Sequence, residues 1–314
     1  MAEELPLVSI VTPSFNQGPF IEETILSVKN QTYPNIEHIV TDGGSTDNTL
    51  DILRKYEGIY NLHWVSEPDE GQSDAINKGW RRAKGEILGW LNSDDTYMPW
   101  AAEIAVESFS QYPDVSMVYG DAAIIDESGE VTRPQPGTEF SLKKLLCEGN
   151  IVPQQTAFFR KEVLDKVGYL DTKLFVEMDY DYWIRIALKL KAKYVPKLLA
   201  SFRVCEGTKT VSLTYKAAPD FLYMFEKILS SPDLPEEAKA LKRRAYSHAY
   251  YQAGLCYYAH RWMKESRRHL VKSAILYPPG FLRPMPLGYL VTALLGKRAT
   301  ELAVKIKSKL TGRH

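Results

Sequence analysis

Ile87-Leu-Gly-Trp-Leu-Asn-Ser-Asp-Asp95 is an apolar run of strand length that ends abruptly in two adjacent carboxylates. Such a run, followed by turn residues, is typical of a buried parallel strand that carries polar groups at its carboxyl end. Ligands of open α/β sheets bind at that edge. This stretch therefore predicts an α/β sheet with a ligand site where its strands end.

A second stretch, Ile39-Val-Thr-Asp-Gly-Gly-Ser45, repeats the pattern and places Asp42 at its end. Around both stretches, β-rich runs alternate with segments whose apolar residues recur at helical spacing. The β-rich runs lie at 7–12, 37–41, 62–66, 87–91 and 116–120. This alternation predicts right-handed βαβ units, and hence a Rossmann-like, mainly parallel sheet flanked by helices.

The rest of the chain is predicted to be partly irregular and then helical. Residues 132–138 contain two prolines and a glycine, which predicts a loop, and residues 179–190 have the pattern of a helix with acids in its first turn. From Pro219 onward the pattern is helical, with one hairpin of tetratricopeptide-like spacing between residues 250 and 278. We therefore expect an α/β domain at 1–215 and a helical C-terminal region at 216–314.

The composition is that of a globular protein with an uneven distribution of charge. The 314 residues are 45% hydrophobic and 25% charged, and the net charge is zero. Residues 241–314, however, contain 15 Lys and Arg against 2 Asp and Glu, so the preceding residues are acidic. This asymmetry indicates two regions with different partners.

Three widely separated cysteines in no metal-binding spacing favour a reducing compartment over a disulfide framework. The N-terminus lacks the pattern of a signal peptide. The apolar stretch at 289–295 is far shorter than the roughly 20 residues that span a bilayer. These features predict a cytoplasmic protein.

Asp94 and Asp95 have the chemistry of a sugar and metal site. One carboxylate can accept hydrogen bonds from sugar hydroxyls, while the other binds a divalent ion such as Mg²⁺ or Mn²⁺, which prefer oxygen ligands. The alternative is a solvated turn that caps the following helix. A second acidic strand end in the same sheet, at Asp42, favours the ligand site.

Asp42 is followed by two glycines, which permit close approach of the backbone to a ligand. A carboxylate there can accept the N3–H of uracil or thymine. A plain βα turn capped by Asp47 is the alternative that remains open.

Asp179 and Asp181 could supply a general base that takes a proton from an acceptor hydroxyl. Acids in a first helical turn also interact favourably with the helix dipole, so a structural explanation stays open. Arg203 and Lys209 lie in a stretch that could fold over a pyrophosphate, although surface cations are common.

Five segments occur in order along the chain: Val8-Ser-Ile-Val-Thr-Pro-Ser-Phe-Asn, Val40-Thr-Asp-Gly-Gly-Ser-Thr-Asp, the motif from Ser66 to Gly79, Trp90-Leu-Asn-Ser-Asp-Asp and Asp179-Tyr-Asp-Tyr-Trp-Ile-Arg. Together they resemble a family-2 glycosyltransferase of the GT-A fold, over about residues 5–212. The order of five motifs makes the resemblance specific.

The resemblance implies a donor site along the strand ends. Pro13 and Phe15 match positions that line the base pocket, and Asp42 matches the residue that reads the pyrimidine. Asp94 would contact the ribose, and Asp95 would bind the divalent ion, Mg²⁺ or Mn²⁺, that bridges the diphosphate.

Further positions follow from the same resemblance. Asp74 lies in the segment that touches the ribose or sugar of the donor, and Arg203 and Lys209 match a loop that closes over the diphosphate. Gln154 and Gln155 fall in a segment that faces the acceptor.

Asp179 matches the catalytic base of an inverting transfer. Two departures from the family pattern are Met178, where an acidic residue often precedes the base, and Cys205, where a histidine is common. The second departure weakens any metal-binding role for that loop.

The expected function is inverting transfer of a sugar from a UDP- or dTDP-sugar to a hydroxyl of a glycan or lipid-linked glycan, in cell-surface polysaccharide or glycolipid assembly. A sugar-phosphate nucleotidyltransferase and a non-catalytic scaffold that binds nucleotide sugars are the alternatives. The first usually has a basic, Gly-rich loop after the first strand, which this chain lacks.

The basic C-terminal region predicts peripheral contact with an anionic membrane, at the inner face of which the protein would act. Solvated helix faces explain most of its cations, so we expect no nucleic-acid partner.

Overall fold

The computed structural model describes residues 5–205, 214–282 and 284–295. These residues fall into two units. The first unit contains residues 5–142 and 150–205, and the second contains residues 143–149 and the described residues from 214 onward.

The described strands of the first unit form one sheet. They are β1 (Val8–Ser14), β2 (Ile36–Asp42), β3 (Leu62–Ser66), β4 (Ile87–Trp90), β5 (Thr96–Tyr97), β6 (Met117–Ile125), β7 (Val131–Gln135), β8 (Phe158–Arg160) and β9 (Ala192–Arg203). The strand order is β3-β2-β1-β4-β8-β6-β9-β5, and β7 pairs with β6.

The sheet is mixed in direction. Strands β3, β2, β1 and β4 are parallel, as the alternating pattern predicts. Strand β8 is antiparallel to both β4 and β6, and β5 is antiparallel to β9, whereas β9 is parallel to β6. The parallel half of the sheet therefore contains the strands that end at Asp42 and before Asp94. The other half, from β8 to β5, contains parallel and antiparallel pairs.

Helices flank this sheet. They are α1 (Ile21–Lys29), α2 (Thr49–Tyr56), α3 (Gln72–Arg82), α4 (Ala101–Gln111), α6 (Glu162–Val167) and α7 (Met178–Lys189), while α5 (Leu142–Cys147) lies almost wholly in the second unit. All seven residues of β1 are buried, as expected for a parallel strand covered on both faces.

An aromatic cluster attaches α3 and α7 to the sheet. The Trp80 ring of α3 lies 6.2 Å from Trp90 of β4, 5.2 Å from Phe159 of β8 and 5.4 Å from Tyr182 of α7, between ring centroids. Trp80 and Tyr182 are fully buried. This cluster therefore fixes the C-terminal end of α3 and the second turn of α7 against strands β4 and β8.

The loop predicted at residues 132–138 is wrong in part, because Val131–Gln135 forms β7. In the register with β6, Pro134 lies beside Ala123. Strand β7 pairs with β6 alone among the described strands, so it is an edge strand, where a residue without an N–H is tolerated.

The second unit is helical, as predicted. It contains α8 (Thr214–Leu229), α9 (Glu236–Ala259), α10 (Met263–Leu276), a 3₁₀ turn at Pro278–Leu282 and α11 (Pro284–Leu295). No described helix combines the length and hydropathy that crossing a bilayer requires.

The α9–α10 hairpin packs closely through small residues. A Cβ on Gly254 would come within 2.8 Å of the Leu270 side chain, so a larger residue would separate the helices. Nearby, the Ser247 hydroxyl donates to the Ser273 carbonyl at 2.8 Å.

Candidate active site

Polar side chains meet at the carboxyl edge of the parallel strands. In the β1–β2 register Ser14 lies beside Asp42, and in the β2–β3 register Asp42 lies beside Ser66. The Asp94–Asp95 pair follows the end of β4, which adjoins β1. The sheet therefore brings Asp42 and the Asp94–Asp95 pair to one edge.

Asp42 organises the loop that follows β2. Its carboxylate accepts hydrogen bonds from the N–H groups of Gly44 and Ser45 at 3.0 and 2.8 Å, and from the hydroxyls of Ser45 and Ser66 at 2.5 and 2.6 Å. Asp42 is only 2% exposed. Three of these hydrogen bonds end on Oδ2 and one on Oδ1. Oδ1 is therefore the oxygen with more capacity to accept a further hydrogen bond, for example from a nucleotide base.

Phe15 and Asp69 border a narrow space beside Gly43. A Cβ on Gly43 would lie 2.5 Å from Asp69 Oδ2 and 3.4 Å from the Phe15 ring. Phe15 is 58% exposed, whereas Pro13 is buried within β1. Of the two residues expected in a base pocket, Phe15 is therefore the one that can stack on a ligand.

The Asp94–Asp95 turn is held from inside the protein. Asp95 is fully buried. Its Oδ1 accepts a hydrogen bond from the backbone N–H of Arg203 at 3.0 Å, and its backbone carbonyl accepts one from the Thr24 hydroxyl at 2.8 Å. Asp94 is half-buried. Of the two acids, Asp94 therefore presents the more accessible carboxylate, although the metal was expected on Asp95.

Burial determines the protonation of this pair. Burial raises the pKa of Asp94, and burial together with the Asp94 charge raises the pKa of Asp95 well above its ordinary value. A nearby cation would favour the charged forms of both groups.

The Asn92 amide joins four groups around this turn. Its Nδ2 donates to Asp95 Oδ2 at 3.1 Å and to Gln154 Oε1 at 3.0 Å. Its Oδ1 accepts from Gln72 Nε2 at 2.8 Å and from Trp90 Nε1 at 2.9 Å. All four hydrogen-bonding positions of the amide are thus used, which fixes the orientation of the Asp95 carboxylate.

Arg203, expected to bind the diphosphate, is completely buried. Its guanidinium donates from Nε to the Asp94 carbonyl at 3.0 Å and pairs with the Glu23 carboxylate of α1. It also donates to the carbonyls of Asp126 and Glu127, each at 2.9 Å, in the turn after β6. In this arrangement the Arg203 side chain stabilises the Asp94–Asp95 turn from inside the protein and is not exposed to a ligand. Lys209 lies outside the described residues.

Asp179 lies in the first turn of α7, where its Oδ2 accepts the Asn150 Nδ2 at 2.9 Å. The Asn150 Oδ1 in turn accepts the Val152 N–H at 3.2 Å, which holds the amide in position. Asp181 is fully buried and pairs with Arg185 at 2.8 Å. The half-buried Asp179 is therefore the acid of this turn that an acceptor can reach.

The first turn of α3 connects the two acidic sites. Gln72 donates to Asn92 beside Asp95, and the adjacent Ser73 hydroxyl donates to the sulfur of Met178 at 3.1 Å. Met178 immediately precedes Asp179. The acidic turn after β4 and the first turn of α7 therefore border the same helical turn.

Asp74, expected near the ribose or sugar, interacts with its own helix. Its carboxylate accepts the Glu70 N–H at 3.2 Å and lies 3.2 Å from the Lys78 ammonium. Burial acts to raise the pKa of Asp74, but the Glu70 N–H and Lys78 outweigh it, and the net pKa is lowered.

Gln154 and Gln155 differ in what they contact. Gln154 bonds to Asn92, and its Nε2 also donates to the Trp90 carbonyl at 2.8 Å. Gln155 is 2% exposed and donates to Gln135 of β7 at 3.1 Å. Gln155 is therefore the more buried of the two glutamines, and the acceptor-facing role expected of both stays a prediction.

Sequence reasoning missed the contacts that Asn150 and Asp69 make beside the predicted site residues. Asn150 follows a glycine in an irregular segment, and no local pattern marks it as a partner of Asp179. Asp69 lies within the quoted motif that begins at Ser66, so its place in that motif was the available signal.

The Asp94–Asp95 pair fits a divalent ion that is completed by substrate. The described residues contain no group of three or more His, Cys, Asp or Glu side chains placed to bind a metal. Two adjacent carboxyl groups nevertheless provide oxygen ligands for a cation whose other ligands are diphosphate oxygens, since Mg²⁺ is usually bound by one or two carboxylates plus phosphates.

Comparison with known proteins assigns the family of the chain through a match that includes Asp42 and the Asp94–Asp95 pair and ends before Asp179. Residues 9–168 match the family model described as Glycosyl transferase family 2. An uncharacterized glycosyltransferase of Mycobacterium tuberculosis (strain ATCC 25618 / H37Rv) is 35% identical over 199 residues, covering 63% of this chain and 75% of the relative. The chondroitin synthase of Pasteurella multocida (strain Pm70) is 28% identical over 208 residues, covering 66% of this chain and 21% of the synthase.

Two solved structures share the fold at low sequence identity. Staphylococcus aureus TarS 1-349 in complex with UDP-GlcNAc superposes with a TM-score of 0.62 and 16% identity, covering 87% of this chain and 92% of that one. The mannosyltransferase PcManGT from Pyrobaculum calidifontis, in complex with GDP-Man and Mn²⁺, gives a TM-score of 0.64 and 20% identity. The match covers 93% of this chain and 87% of the mannosyltransferase chain. The mixed sheet flanked by helices is thus the GT-A fold that the motifs indicated.

Proposed function

Because the chain belongs to glycosyl transferase family 2, we propose that it transfers a sugar from a nucleoside diphosphate sugar to an acceptor hydroxyl with inversion at the anomeric carbon. The observation that carries this proposal is that consecutive residues of the first turn of α3 bond to Asn92 beside Asp95 and to Met178 beside Asp179. This arrangement supports an acidic turn for the donor and a base for the acceptor within one site.

The proposed donor is a pyrimidine nucleotide sugar, UDP- or dTDP-linked. The exposed Phe15 ring offers a stacking surface, and the Asp69 carboxylate lies across Gly43 from it, where it could accept the N3–H of a pyrimidine. Asp42 immediately precedes Gly43, and its Oδ1 is the second candidate acceptor. The complex of TarS with UDP-GlcNAc supports a UDP-sugar, whereas that of the Pyrobaculum enzyme holds GDP-Man. Calorimetric titration with UDP, dTDP and GDP decides between them, and tighter binding of GDP would contradict the proposal.

The proposed acceptor is a glycan or lipid-linked glycan in cell-surface polysaccharide assembly. Similarity to a chondroitin synthase supports a polysaccharide product. The basic C-terminal region would bring the protein to an anionic membrane surface, where lipid-linked acceptors are held.

In the proposed reaction, Asp179 accepts the proton of the acceptor hydroxyl. The acceptor oxygen forms a bond to the anomeric carbon from the side opposite the nucleotide, and the bond between that carbon and the diphosphate oxygen breaks. The nucleoside diphosphate leaves with the electron pair. Asn150 holds the Asp179 carboxylate in one orientation during this transfer.

A divalent ion bound by Asp94 and Asp95 would stabilise the negative charge of the departing diphosphate as a Lewis acid. Asn92 and the Arg203 N–H hold the Asp95 carboxylate, so the acidic turn is already formed before the donor binds. Preorganisation of this kind removes the cost of ordering the turn during the reaction.

Replacement of the base tests the function. A panel of nucleotide sugars screened by thermal shift with Mn²⁺ first identifies the donor. Asp179→Asn should then lower turnover of that donor by about 10²- to 10⁴-fold while UDP affinity stays within twofold, because general-base catalysis is lost and donor contacts remain.

Asp165→Asn is the matched control, since Asp165 is exposed on α6 and should leave turnover unchanged. Wild-type turnover by Asp179→Asn would remove Asp179 from the reaction. Absence of turnover by the wild-type protein with every nucleotide sugar that it binds would favour a binding scaffold.

A further inference from the structure

Helix α11 is apolar, contains no charged residue and exposes one face. Within its twelve residues, Leu287, Val291 and Leu294 are 46%, 41% and 50% exposed. Their spacing of four and then three residues places them in one stripe along the helix. We refer to these three residues as the α11 stripe.

The opposite side of α11 is attached to the second unit. Ala293 is fully buried, and its carbonyl accepts a hydrogen bond from Arg267 Nε of α10 at 3.2 Å. The Tyr289 ring lies 5.1 Å from that of Tyr258 of α9. Because these contacts hold the inner side of α11, the α11 stripe faces away from the rest of the unit.

Other exposed apolar residues occur close to α11 in the sequence. Leu282 of the preceding 3₁₀ turn is 83% exposed and Met285 of the first turn of α11 is 69% exposed, while Ile275 of α10 is 67% exposed. Single exposed apolar side chains are ordinary, but a concentration of them usually marks an interaction surface.

The sequence that surrounds α11 carries charges of a single sign. No Asp or Glu occurs between Glu265 and Glu301. The Lys and Arg residues of this interval are Arg267, Arg268, Lys272, Arg283, Lys297 and Arg298. An apolar helix within an acid-free, cationic stretch complements a surface that is apolar inside and anionic outside, which describes an anionic lipid leaflet.

We propose that α11 lies in the headgroup region of an anionic bilayer, with the α11 stripe inserted among the acyl chains. Twelve helical residues measure about 18 Å, too short for a hydrocarbon core of roughly 30 Å, so the helix lies in the interface and does not span it. A second copy of this chain is a poorer partner, because a two-fold interface would place identical cationic stretches against each other. The proposal does not depend on the sugar transfer.

Vesicle binding by the full chain tests the proposal. The triple variant Leu287→Glu, Val291→Glu and Leu294→Glu is compared with a control triple variant that carries glutamate at Leu5, Ile59 and Val131. The control residues are 48%, 57% and 66% exposed in the first unit, so both variants change net charge and exposed apolar surface similarly. Binding is measured by flotation with vesicles of phosphatidylcholine and phosphatidylglycerol, at low and high salt.

The stripe variant should bind anionic vesicles at least about tenfold more weakly than the control variant, because charged side chains oppose insertion. Wild-type binding should weaken at high salt yet persist, since insertion supplements electrostatic attraction. Equal binding by the two variants, or complete loss of wild-type binding at high salt, would overturn the proposal.

Two further measurements distinguish other partners of the stripe. A wild-type dimer in sedimentation velocity that only the stripe variant disrupts would assign the stripe to a second copy. A melting temperature lowered only in the stripe variant would assign it to a segment of the chain itself.

A fluorescent probe keeps the test valid if the triple variant fails to fold. Val291→Trp should give a blue shift with anionic vesicles and quenching by brominated lipid, whereas Ile59→Trp should give neither; identical responses would overturn the proposal. Asp179→Asn should bind vesicles like wild type, so failure of the catalytic proposal and of this one can be told apart.

Discussion

At the scale of single residues, Asn92 connects parts of the chain that are distant in sequence. Its partners belong to β4, α3, the acidic turn and the segment around Gln154, and each of them bonds to the same amide. An aspartate of similar size could accept hydrogen bonds but donate none when ionised, and a leucine could do neither, so only an amide satisfies the whole set.

Asn92→Ala should destabilise the protein by about 2 kcal/mol, because it leaves buried polar groups without partners. Asn61→Ala, at an exposed asparagine that donates to the Ile36 carbonyl at 3.1 Å, should cost less than about 1 kcal/mol. Urea denaturation of both variants measures the difference. Equal losses would mean that the Asn92 network adds nothing beyond an ordinary surface hydrogen bond.

Position 43 favours glycine, because the space between Phe15 and Asp69 leaves little room for a Cβ atom. Gly43→Ala should weaken UDP binding about tenfold, or ~1.4 kcal/mol. The new Cβ would lie only 2.5 Å from Asp69 Oδ2, so the Asp69 carboxylate would have to move away. Gly288→Ala is the control, since a Cβ there meets nothing within 4 Å. Calorimetry with UDP gives both affinities, and unchanged affinity in Gly43→Ala would exclude this space from the donor site.

At the scale of elements, the end of β9 supports the acidic turn. The Arg203 side chain reaches the turn after β4, the turn after β6 and helix α1, so three elements meet at one guanidinium. The fork of five donors on arginine makes this possible, and a lysine could not reproduce it.

Arg203→Lys should lower stability by about 2 kcal/mol or more, because carbonyls of the acidic turn and of the turn after β6 lose their donors. Glu23→Gln should cost under ~1 kcal/mol, since Glu23 is 55% exposed and glutamine keeps an acceptor. Denaturation and UDP titration are measured together. Wild-type stability combined with weakened UDP binding in Arg203→Lys would instead place this guanidinium on the diphosphate.

The elements that could be predicted from sequence are those whose signal is local. The parallel strands show continuous apolar runs, and the acids at their ends are neighbours in the same motifs. Edge strand β7 could not be predicted, because a proline among exposed residues is equally typical of a loop. Only its pairing with β6, which is distant information for any local pattern, makes this segment a strand. The burial of Arg203 depends on Glu23, 180 residues away, which no local pattern shows.

At the scale of the whole molecule, each unit contains a buried neutral histidine. His38 of β2 lies between the Thr12 hydroxyl at 2.9 Å and the Tyr60 hydroxyl at 2.7 Å, and burial lowers its pKa to about 3. In the second unit, burial and, secondarily, Arg244 lower the pKa of His248 to about 4. Both units therefore contain a group that resists protonation while folded.

Acid should therefore destabilise the protein below the pKa of an unfolded histidine, about 6.5. Below that pH the unfolded chain takes up protons that the folded chain excludes, so His38 alone should remove about 2 kcal/mol between pH 7 and pH 5. The loss continues until the pH falls to the folded pKa. Urea denaturation at both pH values measures it.

His38→Gln should show a smaller loss of stability between pH 7 and pH 5 than wild type, whatever its stability at pH 7. His63→Gln, at an exposed histidine, is the matched control variant. Equal pH dependence in wild type and His38→Gln would contradict a neutral buried His38.

The second unit also includes residues 143–149, which lie in sequence between two parts of the first unit. Leu145 and Leu146 in this segment are fully buried in the finished protein. During synthesis, however, the helices of residues 214–295 leave the ribosome long after this segment. The nascent chain must therefore carry this leucine pair without the rest of its unit until those helices have been made, which makes a chain released before that point a substrate for chaperones and proteases.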